Sequence, residues 1–314
     1  MNAGWGMRAI GQFKIYLSLL RVKHYIKNAY IFIPSFLDGK FFTLSTFNLI
    51  LTFLGFSLIV SSTYIINDIL DRKKDQTHPI KKYRPIPSGK VSLIKAIVVA
   101  LILLLLGIII FYNLSFSLLV LASSYFLMMT LYSIYLKHII ILDVFIIAVG
   151  FVMRLFMGSI AASVEVSHWI VLMILICSVF LAVAKRRDDM VAYEVNKRKH
   201  RDVILKYSLP LLDSFLIITA TLTIILYIMY TVSLEAIEIC GTKYLYFTTA
   251  FIFFSIFRYL KITLINNDSG DPVELLLKDK IIIVSLLSCG VVFSFLIYSN
   301  QIESILRQTL LVFK

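Results

Sequence analysis

The chain is 314 residues long, 60% hydrophobic and only 16% charged, with a mean hydropathy of +0.90. A soluble domain carries about 45–50% apolar and about 25% charged residues, and a chain of this size cannot hide such an excess in a core, so lipid must cover part of its surface. A formal charge of +13 would suit a nucleic-acid binder in a soluble protein, but here the bases lie between apolar runs and read as topology signals and phosphate ligands, with no nucleic-acid partner.

The amino-terminal arm carries Arg8, Lys14, Arg21, Lys23 and Lys27. A short apolar stretch at 24–38 contains Pro34 and ends near Asp38 and Gly39. Longer runs follow at 44–66, 92–112, 114–134, 139–161, 168–184, 207–230, 244–261 and 281–299, each close to the ~20 residues of a helical crossing. Backbone groups in lipid must be satisfied within their own segment, and no ~10-residue barrel alternation is seen, so the spans are expected to be helices. The first run lacks a small-residue cleavage pattern, which argues against a removed leader. Counting 24–38 as a crossing gives an all-α polytopic membrane protein, with nine transmembrane helices in a single bundle-forming domain over residues 1–314. That count puts the polar loops 67–91, 185–206 and 262–280, and the turn at Lys137, on the side of the amino terminus. Lys40, Lys243, Arg307 and Lys314 are the basic residues left opposite. The positive-inside rule makes the first side cytoplasmic, in the inner membrane. Cys177, Cys240 and Cys289 are odd in number and irregularly spaced, which argues against a disulfide scaffold and against a zinc site.

Directly after the second of these nine spans comes Asn67-Asp68-Ile69-Leu70-Asp71-Arg72-Lys73-Lys74-Asp75. If the helix continues, Asp68, Asp71 and Asp75 share one face, and Asn67 joins it. Crowded carboxylates repel and need a compensating positive charge. An oxygen-only cluster suits Mg²⁺ completed by waters and substrate phosphates. The bland alternative is a solvated helix end, but Asp71 and Asp75 form a like-charge pair at the i,i+4 spacing, which destabilises a plain helix. The loop His78-Pro79-Ile80-Lys81-Lys82-Tyr83-Arg84-Pro85-Ile86-Pro87-Ser88-Gly89-Lys90 is rich in turn formers. Within it, Lys81 and Arg84 are candidate phosphate ligands, and His78 reads as a loop-bracing residue rather than a base.

Further along, Asp143 and Arg154 lie inside an apolar run, where ionisable groups must face protein or a polar cavity. Gly150 and Gly158 on the same run suit close helix packing. The run 168–184 ends in Lys185-Arg186-Arg187-Asp188-Asp189, with Lys185 and Asp189 one turn apart. Arg258-Tyr259 closes a later run and precedes Asn267-Asp268-Ser269-Gly270-Asp271-Pro272 and Glu274, where Asp271 and Pro272 also fit a helix start. The expected topology gathers all three polar clusters on one membrane face.

These motifs resemble the UbiA superfamily of intramembrane prenyltransferases, and more closely its branch containing decaprenyl-phosphate 5-phosphoribosyltransferase. The resemblance is carried by the run from Asn67 to Gly89, by Arg21 to Asn28, and by Tyr132-Ser133 with Lys137. Asp143, Arg154, Lys185-Arg186, Arg258-Tyr259, Pro272-x-Glu274 and Leu277-x-Asp279 extend it. It covers about residues 20–280. It implies nine helices around a central cavity open to the inner leaflet, with Mg²⁺ as cofactor. The implied reaction transfers 5-phosphoribosyl from 5-phosphoribosyl diphosphate to a polyprenyl phosphate, releasing diphosphate, for cell-envelope glycan synthesis. Asn67, Asp68, Asp71 and Asp75 would hold the metal, with Asp68, Asp71, Lys185 and Arg186 central to catalysis. Lys23, Lys27, Asn28, Lys81, Arg84, Tyr132, Lys137, Asp143, Arg154, Asp189 and Arg258 would contact substrates. The alternative is a prenyl diphosphate donor with an aromatic or lipid acceptor. Bases precede Asp188 and Asp189 where aromatic prenyltransferases typically repeat an Asp-x-x-x-Asp pattern, and this favours the phosphorylated acceptor. A transporter would need polar residues through the full bilayer depth, which the sequence does not show. Membrane lipids are the expected surroundings, and a homo-oligomer is compatible with the sequence.

Overall fold

The structure, a computed structural model, describes residues 3–39, 41, 45–196, 202–265, 275–276 and 278–312. In chain order it forms α1 (Ala3–Leu20), a 3₁₀ segment (Val22–Phe32), α2 (Ile33–Leu37), α3 (Ser45–Leu70), α4 (Arg72–Gln76), α5 (Leu93–Leu114) and α6 (Phe116–Ile134). Then follow α7 (Leu142–Ala162), α8 (His168–Asn196), α9 (Leu209–Thr231), α10 (Leu234–Cys240), α11 (Thr249–Leu264) and α12 (Lys280–Val312).

Among the described residues, eight helices are long and apolar enough to cross a membrane. Six of them keep a third or less of their apolar window buried, whereas α3 lies mostly inside. Along α5, Ile94, Val98, Leu101, Leu105 and Ile109 are between 49% and 77% exposed, at a spacing of three to four residues that makes one lipid-facing stripe. The expected crossing at 24–38 takes another form, the 3₁₀ segment followed by the five-residue α2. It ends as expected at Gly39, which adopts φ 70° and donates to the Phe36 carbonyl at 3.3 Å, a positive-φ helix stop. Two of the expected polar loops and helix ends begin as helix. The spans at 44–66 and 168–184 run on to Leu70 and Asn196; on α8, pairs of Lys185 with Asp188 and Asp189, three and four residues on, support the winding. The amino-terminal arm, expected as an arm only, is the 18-residue α1.

The chain groups into two compact units. The first comprises Met1–Ile33, Thr43–Ile146 and Met153–Val164; the second comprises Pro34–Phe42, Ile147–Val152 and Glu165–Lys314. In the first, Phe56, Ile59, Phe111, Leu118, Tyr125 and Met157 build the main core. Small residues let backbones close in. A Cβ on Gly107 would lie 2.6 Å from Ile59, and one on Gly158 would lie 1.9 Å from the Ile31 carbonyl oxygen, so Gly158 admits the 3₁₀ segment against α7. In the second unit Phe180 packs on Tyr259, Phe36 stacks on Phe293, and the Tyr227 hydroxyl meets Thr248 Oγ1 at 2.7 Å.

Candidate active site

The first unit concentrates its charges at the carboxyl end of α3. Helical bonding persists across the junction with α4: the Asp71 amide donates to the Asn67 carbonyl at 2.9 Å, and the Asp75 amide to the Asp71 carbonyl at 2.8 Å. The expected shared face is broken at the junction: Asp71 takes φ −86° and ψ 2° between the two helices and turns to Lys137, while Asp68 and Asp75 meet at Arg84. Each carboxylate meets a base brought from elsewhere in the chain. Asp68 Oδ1 accepts from Arg21 Nη2 at 2.5 Å and from Arg84 Nη1 at 3.0 Å. The same Arg84 nitrogen donates to Asp75 Oδ2 at 2.7 Å. Asp71 Oδ1 accepts from Lys137 Nζ at 2.7 Å. Asp68, Asp75 and Lys137 are buried, while Asn67 and Asp71 are half-buried. Charge-assisted bonds of this kind let ionised groups remain charged out of water.

Local sequence explains how the bases arrive. Arg84 sits on a loop pinned by Ile86, which is 1% exposed and packs with Leu19, Ile65 and Val91. The Val91 amide closes that loop on the Pro85 carbonyl at 3.0 Å, and Gly89 supplies its φ of 76°. Burial, then the neighbouring Arg21, pull the Arg84 pKa below the usual guanidinium value, against the two carboxylates. It keeps its charge at neutral pH. His78 Nδ1 accepts from the Ile80 and Lys81 amides, both at 3.2 Å, so it braces the loop. Lys81 is half-buried and Lys23 exposed.

Arg21 was not among the expected site residues. It takes a left-handed conformation, φ 53° and ψ 43°, at the start of the 3₁₀ segment, and its guanidinium lies 4.6 Å from the Tyr64 ring centre. Its only sequence signal is its place at the head of the run Arg21 to Asn28. Asn28 and Arg154, expected to touch substrate, are buried against each other: Arg154 Nε donates to Asn28 Oδ1 at 2.9 Å. Arg154 also donates to the Tyr125 hydroxyl at 3.0 Å and lies 5.1 Å from the Phe56 and Tyr125 ring centres. Asn28 in turn donates to Ser57 Oγ at 2.9 Å. Asp143 is fully buried in the first turn of α7, where the helix dipole favours a carboxylate, and Tyr132 is 6% exposed.

The second unit holds the other basic constellation. Lys185 Nζ meets Asp188 at 3.1 Å and Asp189 at 3.3 Å, and Arg186, 4% exposed, reaches Asp189 at 3.4 Å. Arg187 bonds Asp213 and the Thr263 carbonyl, both at 2.6 Å, which ties α8 to α9 and to the end of α11. Arg258 pairs with Asp279 at 3.0 Å. Lys197 to Arg201, Asn267 to Glu274 and Leu277 lie outside the described residues, and with them the anticipated Asp271 cap.

Among the described residues, no three His, Cys, Asp or Glu side chains converge as a ready-made metal cage. The donor chemistry nevertheless fits Mg²⁺, which commonly takes one or two carboxylates and completes its shell with waters and substrate phosphates. Asp68 and Asp75 already place oxygens on one shared cationic nitrogen.

A sequence profile described as the UbiA prenyltransferase family matches residues 37–300. A Sinorhizobium fredii protein named y4nM is 35% identical over 181 residues; the match takes in 56% of this chain but only 34% of that protein's length. Decaprenyl-phosphate phosphoribosyltransferase of Mycolicibacterium smegmatis is 28% identical over 73% of this chain and 74% of its own. The Corynebacterium glutamicum protein of the same name is 26% identical, over 85% and 81%. Two solved structures of an Archaeoglobus fulgidus UbiA homolog superpose well. One, bound to DMAPP and Mg²⁺, has a TM-score of 0.64 at 18% identity, covering 90% of this chain and 99% of the other. The second, bound to GPP and Mg²⁺, has a TM-score of 0.63 at 17% identity, covering 91% and 98%. The likeness shows the fold, a UbiA-like helical bundle.

Proposed function

The chain belongs to the UbiA prenyltransferase family, and from that premise we propose that it is a membrane-embedded, Mg²⁺-dependent transferase moving a group from a diphosphate donor to a lipid or phosphate acceptor. The observation that carries this reading is the end of α3, where Asp68, Asp71 and Asp75 are each held to a base supplied by another segment. A site that receives a metal and a polyanion together needs both signs of charge, held in place before the ligands arrive. Asn67, Asp68, Asp71 and Asp75 would hold the metal, which would supply positive charge to offset that of a departing diphosphate. Arg21, Lys81, Arg84 and Lys137 offset phosphate charge, with Lys23 and Lys27 beside them in sequence. Asn28 and Arg154 keep the 3₁₀ segment, and so Arg21, in register. Lys185, Arg186, Asp189 and Arg258 recognise the second substrate. The active-site side is cytoplasmic.

For the donor, a prenyl diphosphate has the broader support. It agrees with the family description and with the ligands named for the solved homologues. The second reading takes 5-phosphoribosyl diphosphate as donor and a polyprenyl phosphate as acceptor. It is favoured by the phosphoribosyltransferase relatives that align over most of their length, and by the bases at Lys185 and Arg186.

Protein in lipid nanodiscs with Mg²⁺, given each radiolabelled donor and each acceptor class, separates the two. Prenyl label joined to an aromatic or lipid acceptor supports the first reading. Ribose label entering the organic phase supports the second. Transfer from neither donor, or undiminished transfer after stringent removal of divalent cations, overturns the proposal. Asp71→Asn is expected to lose about 100-fold or more in turnover with whichever donor works, while eluting as the folded protein does.

A further inference from the structure

Arg84 occupies an unusual place in the acidic cluster. One of its nitrogens, Nη1, bonds a carboxylate at the end of α3 and another on α4, at 3.0 and 2.7 Å. The side chains of Asp68 and Asp75 are only 3% and 5% exposed, whereas that of Arg84 is 29% exposed. The Arg84 side chain, not either carboxylate, is therefore the exposed member of this trio, and a cation approaching from outside meets it first. Mg²⁺ needs oxygens at about 2.0–2.1 Å, so an ion bridging these two oxygens would press on a guanidinium whose nitrogen already lies 3.0 and 2.7 Å from them, and like charges would repel.

We propose that Arg84 is a built-in counter-cation that holds the metal's carboxylates until a diphosphate arrives, so that metal and donor load together. The inference rests on the transferase reading above and adds an order of events to it. Bare, two buried carboxylates this close could not both stay ionised; Arg21 offsets Asp68 alone, and Arg84 is the base that offsets both in the donor-free protein. Metal alone would have to eject the guanidinium into water without a new partner. Metal carrying a diphosphate offers Arg84 phosphate oxygens in exchange, which a planar guanidinium binds well. The exchange requires only the side chain to move, because Ile86 and the Val91–Pro85 bond anchor the backbone beside it. The consequence is positive coupling between the two ligands. Lys137 differs: it is 5% exposed while its partner Asp71 is 22% exposed, so Asp71 can be approached without displacing the lysine.

The test is binding of Mn²⁺, standing in for Mg²⁺, to the protein in nanodiscs, read by electron paramagnetic resonance with and without inorganic diphosphate and corrected for the complex the two form in solution. Wild-type protein is expected to bind Mn²⁺ about tenfold or more tightly when diphosphate is present. Arg84→Gln is expected to bind Mn²⁺ alone about tenfold or more tightly than wild type and to lose most of the diphosphate effect. Lys82→Gln removes the same charge two residues away from an exposed position, and should leave both values unchanged. If Arg84→Gln does not fold, Arg84→Lys decides. Its shorter reach cannot hold both carboxylates at these distances, and about threefold tighter Mn²⁺ binding is expected. Unchanged metal affinity in the folded Arg84 variant, or an equal shift in Lys82→Gln, overturns the exchange and leaves the transferase reading standing. No Mn²⁺ bound by wild-type protein even with diphosphate overturns that reading itself.

Discussion

Asp279 begins α12. Its Oδ1 accepts from the Ile281 and Ile282 amides at 3.1 and 3.0 Å, which caps the helix, and its Oδ2 accepts from Arg258 Nη2 at 3.0 Å. The Arg258 hydrogen bond, more than the backbone ones, holds its carboxyl below the ordinary carboxylate range. A depressed acid stabilises the folded state above its unfolded pKa of about 3.9, and that contribution disappears as pH falls through the lower, folded value. The first turn of α12 should therefore stay protected at neutral pH and open only in strong acid. Hydrogen exchange of the Ile281 and Ile282 amides across pH checks this, and Asp279→Asn should remove the acid-dependent part. At this scale much of the site was legible. Asp68, Asp71, Asp75 and Arg84 could be picked out because like charges at helical spacing need a counter-ion, and that need shows in sequence. Arg21 could not, since its role depends on a left-handed backbone that no pattern of residue types announces.

Among the elements, the long spans were readable because lipid imposes length and apolarity on them directly. Their ends were less so: α3 and α8 continue past the apolar boundary, where hydropathy has nothing to report. α1 carried a signal, with Phe13, Tyr16, Leu17, Leu19 and Leu20 around Lys14, but its residues are too few and too polar to register as a span. The 3₁₀ winding of Val22–Phe32 was beyond reach. It is held by Arg154 bonding Asn28, a tie across 126 residues, and by Gly158 against Ile31. That contact gives a direct test. Gly158→Ala puts a methyl carbon 1.9 Å from the Ile31 carbonyl oxygen, backbone that cannot step aside cheaply. A loss of about 3 kcal/mol, or failure to fold, is expected in thermal unfolding in detergent, whereas Gly290→Ala, with nothing within 4 Å, should be nearly silent.

For the molecule as a whole, the membrane topology turns on that same 3₁₀ segment. Laid end to end, eleven residues at ~2.0 Å and the five of α2 at ~1.5 Å would reach roughly 30 Å, the thickness of the hydrocarbon core, where sixteen α-helical residues would reach only about 24 Å. Longer winding would let a short stretch cross. A crossing there, with the eight long helices, would put the amino terminus in the cytoplasm and the carboxyl terminus outside, which is the expected outcome. Reporter fusions at each end measure this, and two cytoplasmic reporters would show that residues 24–38 do not cross. A different consequence lies in α12. Its 33 residues measure about 50 Å, and its apolar span closes at Tyr298, so roughly 20 Å of wound backbone continues beyond that span. A dye fixed near its tip would tumble with the enzyme rather than on its own tether, giving optical anisotropy a direct view of how the protein turns in its membrane.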